Sequence, residues 1–311
     1  MKLKVFAFLM LCASLSGQSI PKTTVLKEFD RAMKAESVKE QKQLLNTLIK
    51  KHGETPYGVY AKAHLLIMED KPDYPLIVDI CNKALELKPD FFEAFLKRAA
   101  ARAEIGEYTN AIKDYDAALR IKEKEPEVYF DRAGVKYSIK DYESAIQDLN
   151  RAIELRADYV LAYNNLGVAK SKINDHAGAI KEFNQAIKLD PDYADAWVNR
   201  GISRRALKQY KLALKDLNKA EKMSPDDPAV YVNRGNTKSD MQDLQGALED
   251  YGKAIRINPN IPETYFNMGR IKQILKFKKS EYCADYAKAA RLHAQPAKEI
   301  INQGCKGYGT Y

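Results

Sequence analysis

From residue 58 onward the apolar and small residues return at steps of three and four, in paired runs of about a dozen residues each. That spacing places them on one face of a helix, because an α-helix turns once every 3.6 residues or so. The paired runs themselves recur. Steps of 34 residues from Trp197 land on Phe95, Tyr129 and Tyr163 in one direction and on Tyr231 and Tyr265 in the other. Four places after each aromatic stands a small residue: Ala99, Ala133, Gly167, Gly201, Gly235 or Gly269. Two alanine series keep the same register, Ala111, Ala145, Ala179, Ala213 and Ala247, then Ala118, Ala152, Ala186, Ala220 and Ala254. Counted from residues 58, 92, 126, 160, 194, 228 and 262, the chain holds seven such repeats, and a period of this length predicts a stacked solenoid.

Each repeat reads as a helical hairpin. In repeat 194 the break between the two helices falls at Lys208 and Gln209. Pro89, Pro191, Pro225 and Pro259 stop the second helix, since proline lacks the amide hydrogen and keeps its neighbour out of helical geometry. A glycine inside a helix costs about 1 kcal/mol relative to alanine, so Gly167, Gly201, Gly235 and Gly269 need a compensating contact. Close approach to Ala179, Ala213 or Ala247 on the second helix is the expected one.

The series Tyr163, Leu166, Gly167, Ala179, Phe183, Ala186 and Pro191 resembles the tetratricopeptide repeat pattern, and the resemblance runs through about three quarters of the chain. Two repeats depart from it: repeat 58 has Leu65 and Ile77 at the small positions, and repeat 262 gains two residues around Lys276 to Ser280. The resemblance implies an all-α, right-handed α-α superhelix of about seven helix-turn-helix repeats, spanning 58–293, with terminal caps. A degenerate helix pair over 20–57, with Phe29, Ala32, Met33, Leu44, Leu45, Leu48 and Ile49 as its apolar faces, caps the first repeat. A capping helix and tail occupy 294–311.

The register also serves as an internal alignment. Arg98, Arg132, Arg200 and Arg234 stand three places after the aromatic, and in the same repeats Asp114, Asp148, Asp216 and Asp250 follow 16 residues later; repeat 160 has Leu166 and Glu182 instead. The correlation predicts an ion pair across each hairpin, part-exposed and worth about 0–1 kcal/mol. An arginine ladder gripping an anion is the alternative. Two places after the aromatic, asparagine recurs at Asn165, Asn199, Asn233 and Asn267. In the family this position looks onto the concave groove, where an amide both donates to and accepts from a bound peptide backbone; the bland alternative is an asparagine that touches water. Asn164, Val168, Val198, Ile202, Arg205, Val232, Asn236, Phe266, Arg270 and Gln273 complete the expected lining. Such a lining suits an extended or helical segment of another protein. The family's lysine, asparagine and arginine clamp for a terminal carboxylate is not matched here.

Enzymatic chemistry finds no support in these residues. His52, His64, His176 and His293 lie apart, and no metal-ligand spacing, phosphate-binding glycine loop or nucleophile motif occurs. No cofactor and no metal is implied. The formal charge of +9 is spread among interspersed charges without the basic runs of a nucleic-acid partner. A carbohydrate- or envelope-polymer-binding accessory subunit of an enzyme complex, using Phe130, Tyr137 and Phe266, is the second functional reading.

The first residues change the expected location. Lys2 and Lys4, the apolar run Val5 to Ala13, and Ser14, Ser16 and Gly17 have the order of a secretory leader over 1–17, too short for a membrane span. Export, most readily to the periplasm, is expected; lipid attachment through Cys12 is the rival, against which Leu11 stands where a small residue is needed. Export would permit a disulfide between Cys283 and Cys305, which bracket the last helix, Pro296 to Gln303. Closing that loop would contribute about 3 kcal/mol. Cys81 falls on the core face of the second helix of repeat 58.

Overall fold

The turn inside each repeat is made the same way from residue to residue. The first helix ends, one residue takes the left-handed conformation, and the next amide reaches back. The left-handed residues are Gly106, Lys140, Asn174, Lys208, Gln242 and Lys276, with φ between 58° and 82°, one per repeat from 92 to 262. The amide after each donates to the carbonyl five residues back, as Gln209 does to Arg204 and Asp243 to Lys238, at 2.8 and 2.9 Å. This pattern satisfies carbonyls that a helix end would otherwise leave open. Only repeat 92 uses glycine there; the others accept the side-chain strain to keep the turn.

The computed structural model describes residues 24–305; the leader read over 1–17, Cys12 within it, and the tail 306–311 lie outside the described residues. Every element among the described residues is an α-helix. They are α1 (Thr24–Met33), α2 (Val38–His52), α3 (Pro56–Ile67), α4 (Tyr74–Leu87), α5 (Phe92–Glu104), α6 (Tyr108–Ile121), α7 (Pro126–Ser138), α8 (Tyr142–Leu155), α9 (Val160–Lys172), α10 (His176–Leu189), α11 (Ala194–Ala206), α12 (Tyr210–Met223), α13 (Pro228–Asp240), α14 (Leu244–Ile257), α15 (Pro262–Ile274), α16 (Lys279–Arg291) and α17 (Gln295–Gly304). Pro56, Pro126, Pro228 and Pro262 open their helices, where the missing amide hydrogen costs nothing. Asp73, Asp141, Asp175 and Asp243 cap second helices through their side chains. The second helices end two residues before Pro89, Pro191, Pro225 and Pro259.

The chain forms two compact units, one running to Ala162 and one from Tyr163. In the N-terminal unit α1 and α2 pack on each other and against α3, and Phe29, Ala32, Leu45 and Leu48 join Val59, Tyr60 and Phe91 in one core cluster. Hairpins α3/α4, α5/α6 and α7/α8 then follow in sequence. Cys81 is fully buried between Ala63, Ile77 and Ala101.

In the C-terminal unit α11/α12, α13/α14 and α15/α16 pack as hairpins, each also touching the one before it in sequence, and α17 lies on α16. All ten alanines of the two series are fully buried, which is what lets helix backbones approach closely in both units. Trp197 Nε1 donates to the Pro191 carbonyl at 2.9 Å and the Tyr231 hydroxyl to that of Pro225 at 2.8 Å. In these two repeats the aromatic thus ties its helix to the loop that leads into the repeat.

The structure corrects two expectations. The small residue on the first helix faces the residue four places beyond the first alanine series: a β-carbon on Gly167 would come within 2.6 Å of the Phe183 ring, and one on Gly235 within 2.6 Å of the Tyr251 ring. At Gly201 the alanine backbone shares the contact, with Leu217 at 3.1 Å and the Ala213 carbonyl at 3.4 Å. The glycines therefore make room for a ring more than for an alanine. In repeat 262 the second helix starts one residue late, at Lys279, so that Asp285 and Tyr286 take the places held by Asp250 and Tyr251 in repeat 228. One residue is inserted, not two.

Candidate protein-binding face

The first helices of the repeats carry two rows of polar side chains, and their surroundings set them apart. The arginine row is turned inward and saturated. Arg200 holds Asp216 through Nε at 3.0 Å and Nη2 at 2.7 Å, and its Nη1 reaches Asn184 of the preceding repeat at 2.6 Å. Arg98 with Asp114 and Asn82, Arg132 with Asp148 and Asp116, and Arg234 with Asp250 and Asn218 repeat the arrangement. A further cation four residues on, Arg102, Lys136, Arg204 or Lys238, binds the same aspartate at 2.7–2.8 Å. Each guanidinium also lies over the aromatic of its repeat, 4.6 Å from Trp197 in the case of Arg200.

These aspartates are nearly out of contact with water; Asp216 is fully buried. The part-exposed, weak pair expected from the sequence is thus a buried, bidentate one, and the arginines have no free face for an anion. At Arg234 burial opposes the charge, but the Asp250 and Glu221 carboxylates outweigh it and raise the guanidinium above its ordinary range.

The asparagine row is tied up more loosely. Asn199, buried, donates to Asn164 Oδ1 at 2.9 Å, and Asn164 donates to Asn165 at 3.4 Å, so three of the predicted residues form one network across two repeats. Asn267 donates to Asn236 Oδ1 at 3.1 Å, which also accepts from the Tyr251 hydroxyl at 2.6 Å. Asn233 instead donates to the Ala229 carbonyl of its own helix at 2.8 Å.

The remaining predicted residues separate. Arg205 pairs with Asp240 of the next repeat at 3.1 Å, and Arg270 is exposed. Phe266 packs 5.7 Å from the Tyr286 ring, beside Cys283 and Cys305 and the α17 residues Ile300 and Ile301. Val198 is in the core with Leu217 and Val230. Cys283 and Cys305 are joined in a disulfide, their Cα atoms 5.5 Å apart, which fastens the end of α17 to α16.

Two residues of this face went unread in the sequence although the register marks them. The place held by asparagine in repeats 160 to 262 holds Lys97 in repeat 92 and Asp131 in repeat 126. Both are part-buried. Burial pulls the Lys97 ammonium down to about 8 and pushes the Asp131 carboxyl up to about 7.

Histidines contribute structure. His64 occupies the arginine place in repeat 58; it is buried, neither ring nitrogen has a hydrogen-bond partner, and burial, helped by Lys97, lowers it to about 3. His176 opens α10 as Tyr108, Tyr142 and Tyr210 open their helices. Among the described residues no group of three or more His, Cys, Asp or Glu side chains is placed to hold a metal ion, and no helix is long and apolar enough to cross a membrane.

Family models described as TPR repeat match residues 135–174, 172–204 and 235–273, and models described as tetratricopeptide repeat match 82–126 and 194–227. Together these segments cover more than half of the chain. Comparison with curated proteins gives no match. Among solved structures, a tetratricopeptide repeat protein from Parabacteroides merdae is similar at 17% identity, over 79% of this chain and 97% of that one, with a TM-score of 0.67. PilW, described as a type IV pilus biogenesis factor, is similar at 20% identity over 68% and 98% of the two chains, with a TM-score of 0.61. The Cut9–Hcn1 structure of the APC/C is similar at 22% identity over 80% of this chain and 48% of that one, also with a TM-score of 0.61. Hairpins of one register, closed by the same turn and the same buried alanines and matched by these models, make the chain a member of the tetratricopeptide repeat family.

Proposed function

We propose that this protein is a non-enzymatic interaction scaffold or assembly factor of the bacterial envelope that holds an extended or helical segment of a partner on the face lined by the first helices. The observation that carries the reading is the half-satisfied asparagine row. An amide group has two N–H donors and two acceptor lone pairs. Asn199 and Asn267 each spend one N–H on a neighbouring repeat, which fixes the orientation of the group. The carbonyl oxygens of both accept no hydrogen bond from the rest of the described chain, and a pre-oriented group loses less freedom when it binds a peptide. The leader over 1–17 and the Cys283–Cys305 disulfide support export to an oxidising compartment. The carbohydrate reading is disfavoured by its own residues, since Phe130 is 7% exposed against Tyr159, Tyr137 packs on Tyr142, and Phe266 is engaged with Tyr286.

The test is affinity capture from an envelope fraction with the exported chain beside a variant carrying Asn165, Asn199, Asn233 and Asn267 changed to alanine, the variant first giving an unchanged helical circular dichroism spectrum. A protein retained by the first and lost from the second is the expected result. Equal retention by both would move the binding surface away from this row.

A further inference from the structure

The N-terminal unit presents, at the register position of the asparagine row, two charges that nothing neutralises. Other buried or part-buried charges of this unit are matched: Arg98 and Arg102 with Asp114, Arg132 and Lys136 with Asp148, Arg156 with Glu127. Lys97 and Asp131 form no hydrogen bond or ion pair among the described residues, and they do not pair with each other although they stand on successive first helices. Lys97 is close enough to buried Cys81, and to His64, to act on both electrostatically, and Asp131 acts in the same way on Tyr115 and on Tyr159. Among the groups these two charges act on are thus a thiol, a neutral imidazole and two phenols. A charge drawn part-way out of water without a counter-ion costs free energy, and the displaced titrations of both groups express that cost.

We propose that the N-terminal unit recognises a bipolar protein segment, seating an acidic side chain of the partner on Lys97 and a basic one on Asp131. The proposal rests on the reading that the first-helix face binds protein, and adds to it the charge pattern of the ligand. The two charges stand on α5 and α7, the first helices of successive repeats, so the segment carries its acidic and basic side chains in a fixed order along its length. Asparagine at the same position in the later repeats makes no such demand, so the two units would divide the work: charge selection in the first, backbone binding in the second.

The probes are fluorescent alanine/serine peptides carrying one Glu and one Arg at a series of separations, in both orders, with Gln-substituted controls, titrated against the full chain. One order is expected to bind about tenfold more tightly than its neutral control. Lys97→Met and Asp131→Asn should each abolish that preference, and the double exchange Lys97→Asp with Asp131→Lys should transfer it to peptides of the opposite order. The four-asparagine variant should keep it, so a failure here is separable from a failure of the asparagine reading. Equal binding of charged and neutral peptides would overturn the proposal. So would a carbon-13 titration in which Asp131 ionises as an ordinary carboxylate in the free protein and loses that behaviour in Lys97→Met, because the two groups would then neutralise each other.

Discussion

Repeats 160 and 194 follow one another in the chain with helices of equal length, 13 and 14 residues, yet they are closed by different chemistry. In repeat 194 a fully buried Asp216 collects Arg200 and Arg204, and Arg200 reaches on to Asn184. In repeat 160 the arginine is Leu166, 1% exposed, and the remaining pair is Lys170 with Glu182 at 2.6 Å. The glycines differ as well: Gly167 lies under the Phe183 ring, Gly201 under the smaller Leu217. A hairpin of one geometry is thus held by an apolar contact in one place and an ionic one in the next. Buried ion pairs often add little net stability over a well-packed apolar substitute, while losing one partner is costly. What the arginine adds is a direction, because its third contact fixes which preceding helix the hairpin meets.

That comparison can be broken most sharply at Arg200. Arg200→Ala leaves Asp216 buried with Arg204 as its remaining ionic partner and is expected to destabilise by about 3–5 kcal/mol, read by urea unfolding. An effect below about 1 kcal/mol would mean that the pair behaves as a surface ion pair. Next in size is the glycine contrast. Gly167→Ala drives a methyl into the Phe183 ring and should cost about 1–3 kcal/mol, whereas Gly201→Ala meets a movable Leu217 and gains helix propensity, leaving a change within about 0.5 kcal/mol. Equal effects at the two sites would show that the ring is not what the glycine accommodates.

Charges without partners extend the comparison to the N-terminal unit. The folded-state carboxyl of Asp131 titrates near 7, above its unfolded value, so its ionisation opposes folding above that pH, and the penalty disappears as pH falls below the unfolded value of about 4. Asp131→Asn should therefore stabilise by about 1 kcal/mol at pH 8, a figure discounted for the side chain's remaining contact with water, and leave thermal unfolding at pH 3.5 or so unchanged. A loss of stability at pH 8 would reveal a partner for the carboxylate. A small effect is also expected from rebuilding repeat 194 as repeat 160, with Arg200→Leu, Arg204→Lys and Asp216→Glu together. The triple variant should lie within about 1 kcal/mol of the parent, far above Arg200→Ala alone, and a double-mutant cycle gives the coupling.

Much of this was legible in order along the chain. The 34-residue register, the hairpin, its prolines and the arginine–aspartate correlation all follow from residues met at fixed offsets. The second cation of each cluster was equally present in that register, at Arg102, Lys136, Arg204 and Lys238, and was passed over because a lysine or arginine on a helix ordinarily faces water. Lys97 and Asp131 escaped notice for a related reason: they break the asparagine row, and a row is easier to see than its exceptions. The partner of the glycines was misread because several residues of the second helix lie at compatible spacings, and only the crossing of the helices selects Phe183 or Tyr251 over Ala179 or Ala247.

By itself the sequence determined the helices, their pairing and their order, since these follow from a 3.6-residue periodicity, turn residues and a constant repeat length that neighbouring segments share. The tertiary structure alone decided which polar groups are spent and which are free. Burial and hydrogen-bond distance depend on how close two helices come and at what angle, and a shift of an ångström or two separates the saturated Arg200 from a ligand-ready arginine, or a fastened Asn199 from the unpaired Lys97 at the same place in the register.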